Sequence, residues 1–88
     1  MKPIRWSKHA TRELAKREID RTEAENALAQ PDAVTAVSTV RRFHQRRYFD
    51  KPLNQLMLLR VLLEETPGET VVVTLYKTSK ITKYGGGE

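Results

Sequence analysis

Residues 56–63 read LMLLRVLL. Successive side chains of a strand point to opposite faces. Met57, Leu59, Val61 and Leu63 therefore share one face, and Leu56, Leu58, Arg60 and Leu62 share the other. The first face is wholly apolar and demands a covering layer. The second carries one arginine among leucines. The run is far too short to span a bilayer and has a charge inside it, so it predicts a strand of a sheet whose apolar face meets helices. An arginine in such a strand costs stability unless it is paired or put to use. Arg60 is thus the first candidate for function.

Downstream, Pro67 and Gly68 suit the central positions of a type II turn, and residues 70–78 alternate again. Val71, Val73 and Leu75 fall on one face of that strand and Val72, Thr74 and Tyr76 on the other. Upstream, residues 41–49 read RRFHQRRYF. A strand over about 42–49 puts Arg42, His44, Arg46 and Tyr48 on one face, and Arg41, Phe43, Gln45, Arg47 and Phe49 on the other. The simplest burial sends Phe43 and Phe49 inward. Arg42, His44, Arg46 and Tyr48 would then share the uncovered face with Arg60 and Tyr76. A further strand is expected at about 34–40.

Helical spacing precedes these strands. Ser7 is an N-cap for a helix that repeats Ala10, Leu14 and Ala15 up to about Arg17. Asp20 with Glu23 forms a capping box for a second helix. That helix buries Ala24, Ala27 and Leu28 and ends before Pro31, since the residue preceding a proline is pushed out of the α region. Ile19 stands where it can staple onto the second helix. Both apolar stripes are narrow and rich in alanine, so the helices must lie on something larger. The expected fold is α+β: two N-terminal helices on one face of a three- to four-stranded antiparallel sheet. Residues 1–84 form a single domain, with 85–88 a flexible tail.

The 88 residues hold 16 Lys plus Arg against 11 Asp plus Glu, a net charge of +5. That surplus favours polyanionic partners. The chain has no cysteine, which excludes disulfides, thiolate catalysis and Cys-based zinc sites. Lys8, Arg12 and Glu13 interrupt the place of a signal peptide, and the expectation is a cytoplasmic protein with no membrane segment. The two histidines, His9 and His44, lack a nearby carboxylate pattern, so neither a metal nor a cofactor is expected. Guanidinium groups grip phosphate in a forked geometry and aromatic rings offer stacking platforms for bases. On that basis Arg42, His44, Arg46 and Tyr48 are candidate nucleic-acid contacts. The alternative is a solvated strand whose arginines blunt a sheet edge. His9, which shares a helix side with Arg12 and Glu13, is either a proton carrier or an ordinary surface residue.

The order of several short motifs adds to this reading. WSKHATRELAKREI (6–19), NALAQPD (26–32), LLRVLLEE (58–65) and VVVTLYKTSKITKY (71–84) together resemble a bacterial family of unknown function with H-A-x-x-R and V-V-T-x-Y motifs. That family is similar to the BrnT and RelE-like toxins, compact α+β endoribonucleases held in check by antitoxins. His9, Arg12, Arg17, Arg60, Tyr76, Lys80, Lys83 and Tyr84 fall on its motif positions. One departure is Glu18, where the family has a glycine after the first helix. Glu18 must then adopt a left-handed conformation, or the turn differs.

The resemblance implies activity on RNA, with His9, Arg60 and Tyr76 as catalytic candidates, His44 as the alternative proton carrier to His9, and Lys80 and Lys83 as further nucleic-acid contacts. The RNA 2′-OH would attack the adjacent phosphorus, needing no protein nucleophile and no metal. The expected partners are RNA and an acidic antitoxin protein. A non-catalytic nucleic-acid-binding or protein-interaction domain is the alternative.

Overall fold

The computed structural model describes residues 2–81. The expectations for Lys83, Tyr84 and the tail lie outside the described residues. The elements run β1 (Ile4–Trp6), α1 (Lys8–Lys16), α2 (Arg21–Ala29), β2 (Ala33–Ala36), β3 (Arg41–Asp50), β4 (Gln55–Glu65) and β5 (Thr70–Thr78). The class is α+β as expected, but the sheet has five strands in the order β1-β5-β4-β3-β2 and is mixed. The added strand, β1, runs parallel to β5 with Ile4 opposite Thr70 and Trp6 opposite Val72. A three-residue strand is too short to show alternation.

The helix ends follow the local chemistry. Ser7 Oγ accepts from the Ala10 amide, and Asp20 Oδ1 accepts from the Thr22 amide, each satisfying an orphan donor of a first turn. α1 closes with Glu18 at φ 53°. The Ile19 amide bonds to Leu14 O at 2.8 Å and the Glu18 amide to Ala15 O at 3.2 Å, the paired bonds of a Schellman motif. Glu18 thus takes the left-handed position where glycine carries no steric penalty. Leu14 and Ile19 both enter the core.

The helices cover one sheet face. Ala10, Leu14, Ile19, Ala24 and Ala27 pack on Met57, Leu59, Val61, Leu63, Val72, Leu75 and Tyr48. The β4 faces are those read from the sequence. In β5 a register shift between Leu62 and Leu63 lets Val72 stand opposite Leu63 and Leu75 opposite Val61. Both are buried on the helix side, so the expected grouping of Val71, Val73 and Leu75 is corrected by a bulge, which adds a residue to one strand and inverts parity beyond it. The β4–β5 turn differs too. Gly68 does not take the positive φ of a type II turn. Thr66 closes the loop instead, its amide bonding to Glu69 O at 2.9 Å and its hydroxyl accepting from the Glu69 amide at 3.0 Å.

The largest correction concerns β3. Its register sets Arg42 opposite Leu63, His44 opposite Val61, Arg46 opposite Leu59 and Tyr48 opposite Met57. These four therefore lie on the helix-covered face, and Phe43, Gln45, Arg47 and Phe49 on the other. Polar groups at the rim of α2 explain why arginines and a histidine tolerate this side. The last carbonyls of a helix lack partners and sit at the negative end of its dipole. His44 Nδ1 lies 3.2 Å from Ala27 O, and Arg46 donates to Gln30 O at 2.7 Å. Arg42 pairs with Glu65 at 2.7 Å. Tyr48 donates to Asp50, whose carboxylate also receives Lys77 at 2.7 Å and the Leu53 amide at 3.1 Å.

Candidate functional site

The face that no helix covers among the described residues is built on β3, β4 and β5. Arg60 in mid-β4 stands between Gln45 of β3 and Tyr76 of β5. Its Nε donates to Gln45 Oε1 at 2.7 Å, and its Nη1 to the Tyr76 hydroxyl at 2.6 Å. The guanidinium carbon lies 4.0 Å from the centre of the Phe43 ring and 5.8 Å from that of Tyr76. Those rings meet edge to face at 6.4 Å. A cation over an aromatic face gains about 0.5–2 kcal/mol, more when desolvated. Two hydrogen bonds and a ring below therefore fix the plane of the guanidinium, which an isolated surface arginine would not be. Gln45 and Leu58 are buried in this face, whereas Arg60, Phe43, Thr74 and Tyr76 are half-buried.

His9 reaches the same side from α1. β1 pairs with β5 only as far as Val72, so beyond that residue α1 lies along the edge of β5. His9 Nε2 is 3.1 Å from Thr74 Oγ1, and Thr74 stands opposite Leu62, on the parity of Tyr76. A row from Gln45 through Arg60 and Tyr76 is thus flanked by Thr74 with its histidine. Chemically, the row offers a fixed planar cation, a phenol that accepts from it, and an imidazole at the rim. A phenol polarised by a guanidinium becomes the stronger hydrogen-bond donor.

The structure joins two of the catalytic candidates, Arg60 and Tyr76, by direct contact, and places His9 beside Thr74, two residues before Tyr76 on the same strand face. It separates from them Arg42, His44, Arg46 and Tyr48, whose expected place beside Arg60 is corrected by the β3 register. Lys80 is exposed just past β5, its amide bonded to Thr78 Oγ1. Gln45 and Phe43 escaped the sequence reading as neighbours of Arg60. Gln45 and Phe43 would have needed the β3–β4 register; Thr74 was visible beside Tyr76, but nothing marked it as the partner of His9.

Several titratable groups of the helix side are shifted by burial and by their partners. Burial, assisted by the nearby Arg42 charge, holds the His44 imidazole below its ordinary value against the opposing bond to Ala27 O. Arg42 Nε donates to His44 Nε2 at 3.0 Å, so the ring is neutral with its proton on Nδ1, facing Ala27 O. Bonds from Lys2, Thr70 and Arg42 bring the Glu65 carboxyl down to about 2. Lys77, donating to Asp50, likewise lowers that carboxyl.

A cavity of about 310 Å³ opens on Glu18, Asp20, Glu23 and Asp50 beside Tyr48 and Lys51. Its lining is mainly acidic, and Asp50 there is already paired with Lys77, so this cavity is poorly suited to phosphate. Among the described residues no group of three or more histidines and carboxylates is placed to hold a metal ion, and no helix is long and apolar enough to cross a membrane.

The fold and the site define a small α+β domain with an arginine held on the helix-free face of its sheet. The chain belongs to the family described as a domain of unknown function, DUF4258, whose profile matches residues 6–77. No curated protein and no solved structure matches it.

Proposed function

We propose that the protein acts on single-stranded RNA at the Arg60 row, as a metal-independent endoribonuclease of the toxin kind restrained by an acidic antitoxin. The observation that carries this reading is the guanidinium of Arg60, fixed on the helix-free face by Gln45 and Phe43 and bonded to the Tyr76 hydroxyl. The resemblance of the sequence motifs to a family that is itself similar to the BrnT and RelE-like toxins supports the same class of activity.

In this mechanism the RNA 2′-oxygen forms a bond to the adjacent phosphorus, and the bond from phosphorus to the 5′-oxygen breaks. The products are a 2′,3′-cyclic phosphate and a 5′-hydroxyl. The 2′-OH gives up its proton to a base and the leaving oxygen takes one up, and His9 is the proton carrier at the rim. Arg60 faces the charge that accumulates on the non-bridging oxygens, where a preorganised donor is worth most. Tyr76 donates a hydrogen bond or stacks a base. Lys80 contributes attraction to the backbone. An acidic partner would cover the same face and block it.

The test is incubation of the purified protein with end-labelled single-stranded RNA in chelator, with and without ribosomes. Fragments ending in a cyclic phosphate are expected. Intact RNA under both conditions would overturn the enzymatic reading.

A further inference from the structure

Six arginines, at positions 5, 17, 21, 41, 42 and 47, each have a carboxylate within ion-pair distance. Lys8, Arg12 and Lys16 of α1 are exposed and have no such partner among the described residues. Lys16 meets the neighbouring Glu13 only through its field, for that carboxylate is bonded to Arg17. At about 100° per residue, Lys8, Arg12, Lys16 and His9 fall within a sector of about 100° on the helix. Ala10, Glu13 and Leu14 occupy the buried side. The three cations therefore form a ridge directly bordering His9, the residue that touches Thr74 at the edge of the Arg60 face. Each step of four residues rises about 6 Å along the helix, close to the step between successive phosphates of an RNA strand.

We infer that Lys8, Arg12 and Lys16 form a phosphate track that carries the RNA strand onward from the Arg60 face, over the His9–Thr74 rim and along α1. This rests on the proposed action on RNA and adds the path of the substrate. A surface whose opposite charges are already paired contributes little attraction. Three cations in a row, left without carboxylates in a chain where most arginines have one, present a net field to a polyanion. Phosphate contacts of this kind release counterions, so each adds to the salt dependence of binding.

The experiment titrates a fluorescent single-stranded oligoribonucleotide at several salt concentrations. It compares wild type, the triple variant Lys8→Gln/Arg12→Gln/Lys16→Gln, and Arg60→Gln, each first shown to melt cooperatively. The three ridge side chains are exposed, so the triple variant keeps the fold. Three contacts at about 0.7 each make a difference of about 2 in the slope of log K against log salt. Between about 50 and about 200 mM salt the wild type should therefore lose roughly twentyfold more affinity than the triple variant. Equal slopes, with Arg60→Gln still weakening binding, would overturn the track and leave the Arg60 reading standing. A reduced slope in the triple variant alone, with Arg60→Gln binding like wild type, would uphold the track and remove Arg60 from RNA recognition. RNA left unbound by wild type at low salt, with poly-glutamate bound by wild type and not by the triple variant, would overturn both and assign the ridge to an acidic protein.

Discussion

Asp50 holds the end of β3 to β5, and its replacement by asparagine should be among the most damaging single changes to the fold. Its side chain is about 3% exposed and that of Lys77 about 12%, with 2.7 Å between carboxylate and ammonium. Asparagine keeps the shape, but its single oxygen can accept from only one of Tyr48 and the Leu53 amide, which meet different oxygens of Asp50, and it leaves the Lys77 charge without its counter-ion. Breaking a buried pair from one side costs about 3–5 kcal/mol, because an uncompensated charge remains in a poorly solvated place. A chain of this length has a total stability of about 4–13 kcal/mol, so Asp50→Asn should forfeit a large part of it. Equilibrium urea unfolding reads this as a lower midpoint with the slope unchanged. The double variant Asp50→Asn/Lys77→Met should recover part of the loss, since both charges are gone. The sign with pH follows from the lowered carboxyl of Asp50. Its contribution is present above the unfolded value near 3.9 and is lost as pH falls through the lower folded value. The gap between wild type and variant should therefore close in acid. A loss under about 1 kcal/mol at neutral pH, the worth of an exposed pair, would refute the reasoning.

Other outcomes follow from the turn and the buried histidine. Glu18→Gly should stabilise the protein by about 1 kcal/mol, since glycine adopts the φ of 53° freely; thermal melting should rise by about 4–8 °C. A fall would mean that the Glu18 side chain contributes more than its backbone costs. His44, lowered by burial, stays neutral in the fold while the unfolded ring binds a proton below about 6.5. The unfolded state thus binds more protons in that window, and stability should decline by up to about 1.4 kcal/mol for each unit of acidification until the folded ring titrates. His44→Asn should remove this component of the slope in urea titrations run at a series of pH values. Tyr48→Phe should cost about 1 kcal/mol, by losing the bond to Asp50 while keeping the ring.

How far the sequence specified these features depends on how one-sided each segment is. The caps at Ser7 and Asp20 were legible because a cap is a local interaction within a few residues. β4 was legible because Met57, Leu59, Val61 and Leu63 make one face uniformly apolar. β3 was not, since each of its faces mixes cations with aromatics: Phe43 and Phe49 argue for one inside, His44 and Tyr48 for the other. The choice is made by pairing with β4 across the Lys51–Asn54 turn, where Asn54 takes a positive φ of 51°, and a register one residue away would invert it. The strand Ile4–Trp6 was hidden because its signal lies in a partner strand at the far end of the chain. Arg60 and Tyr76 were legible as oddities within apolar strands, and β4–β5 pairing does set them opposite each other. The parts that position Arg60, Gln45 and Phe43, come from the same unreadable register.

The most direct test of the proposed function measures binding and cleavage of one RNA by wild type and Arg60→Lys. Lysine keeps the charge but loses the planar fork that meets Gln45 and Tyr76 and that the proposed mechanism turns on a phosphate. If Arg60 stabilises charge in the transition state, cleavage should slow by roughly a hundredfold or more, the effect of losing one such donor at about 2.7–4 kcal/mol. Ground-state affinity, set mostly by charge, should change little. His9→Gln, run beside it, should flatten the pH dependence of cleavage with affinity retained. Cleavage by Arg60→Lys at the wild-type rate, on RNA bound equally well, would contradict the account.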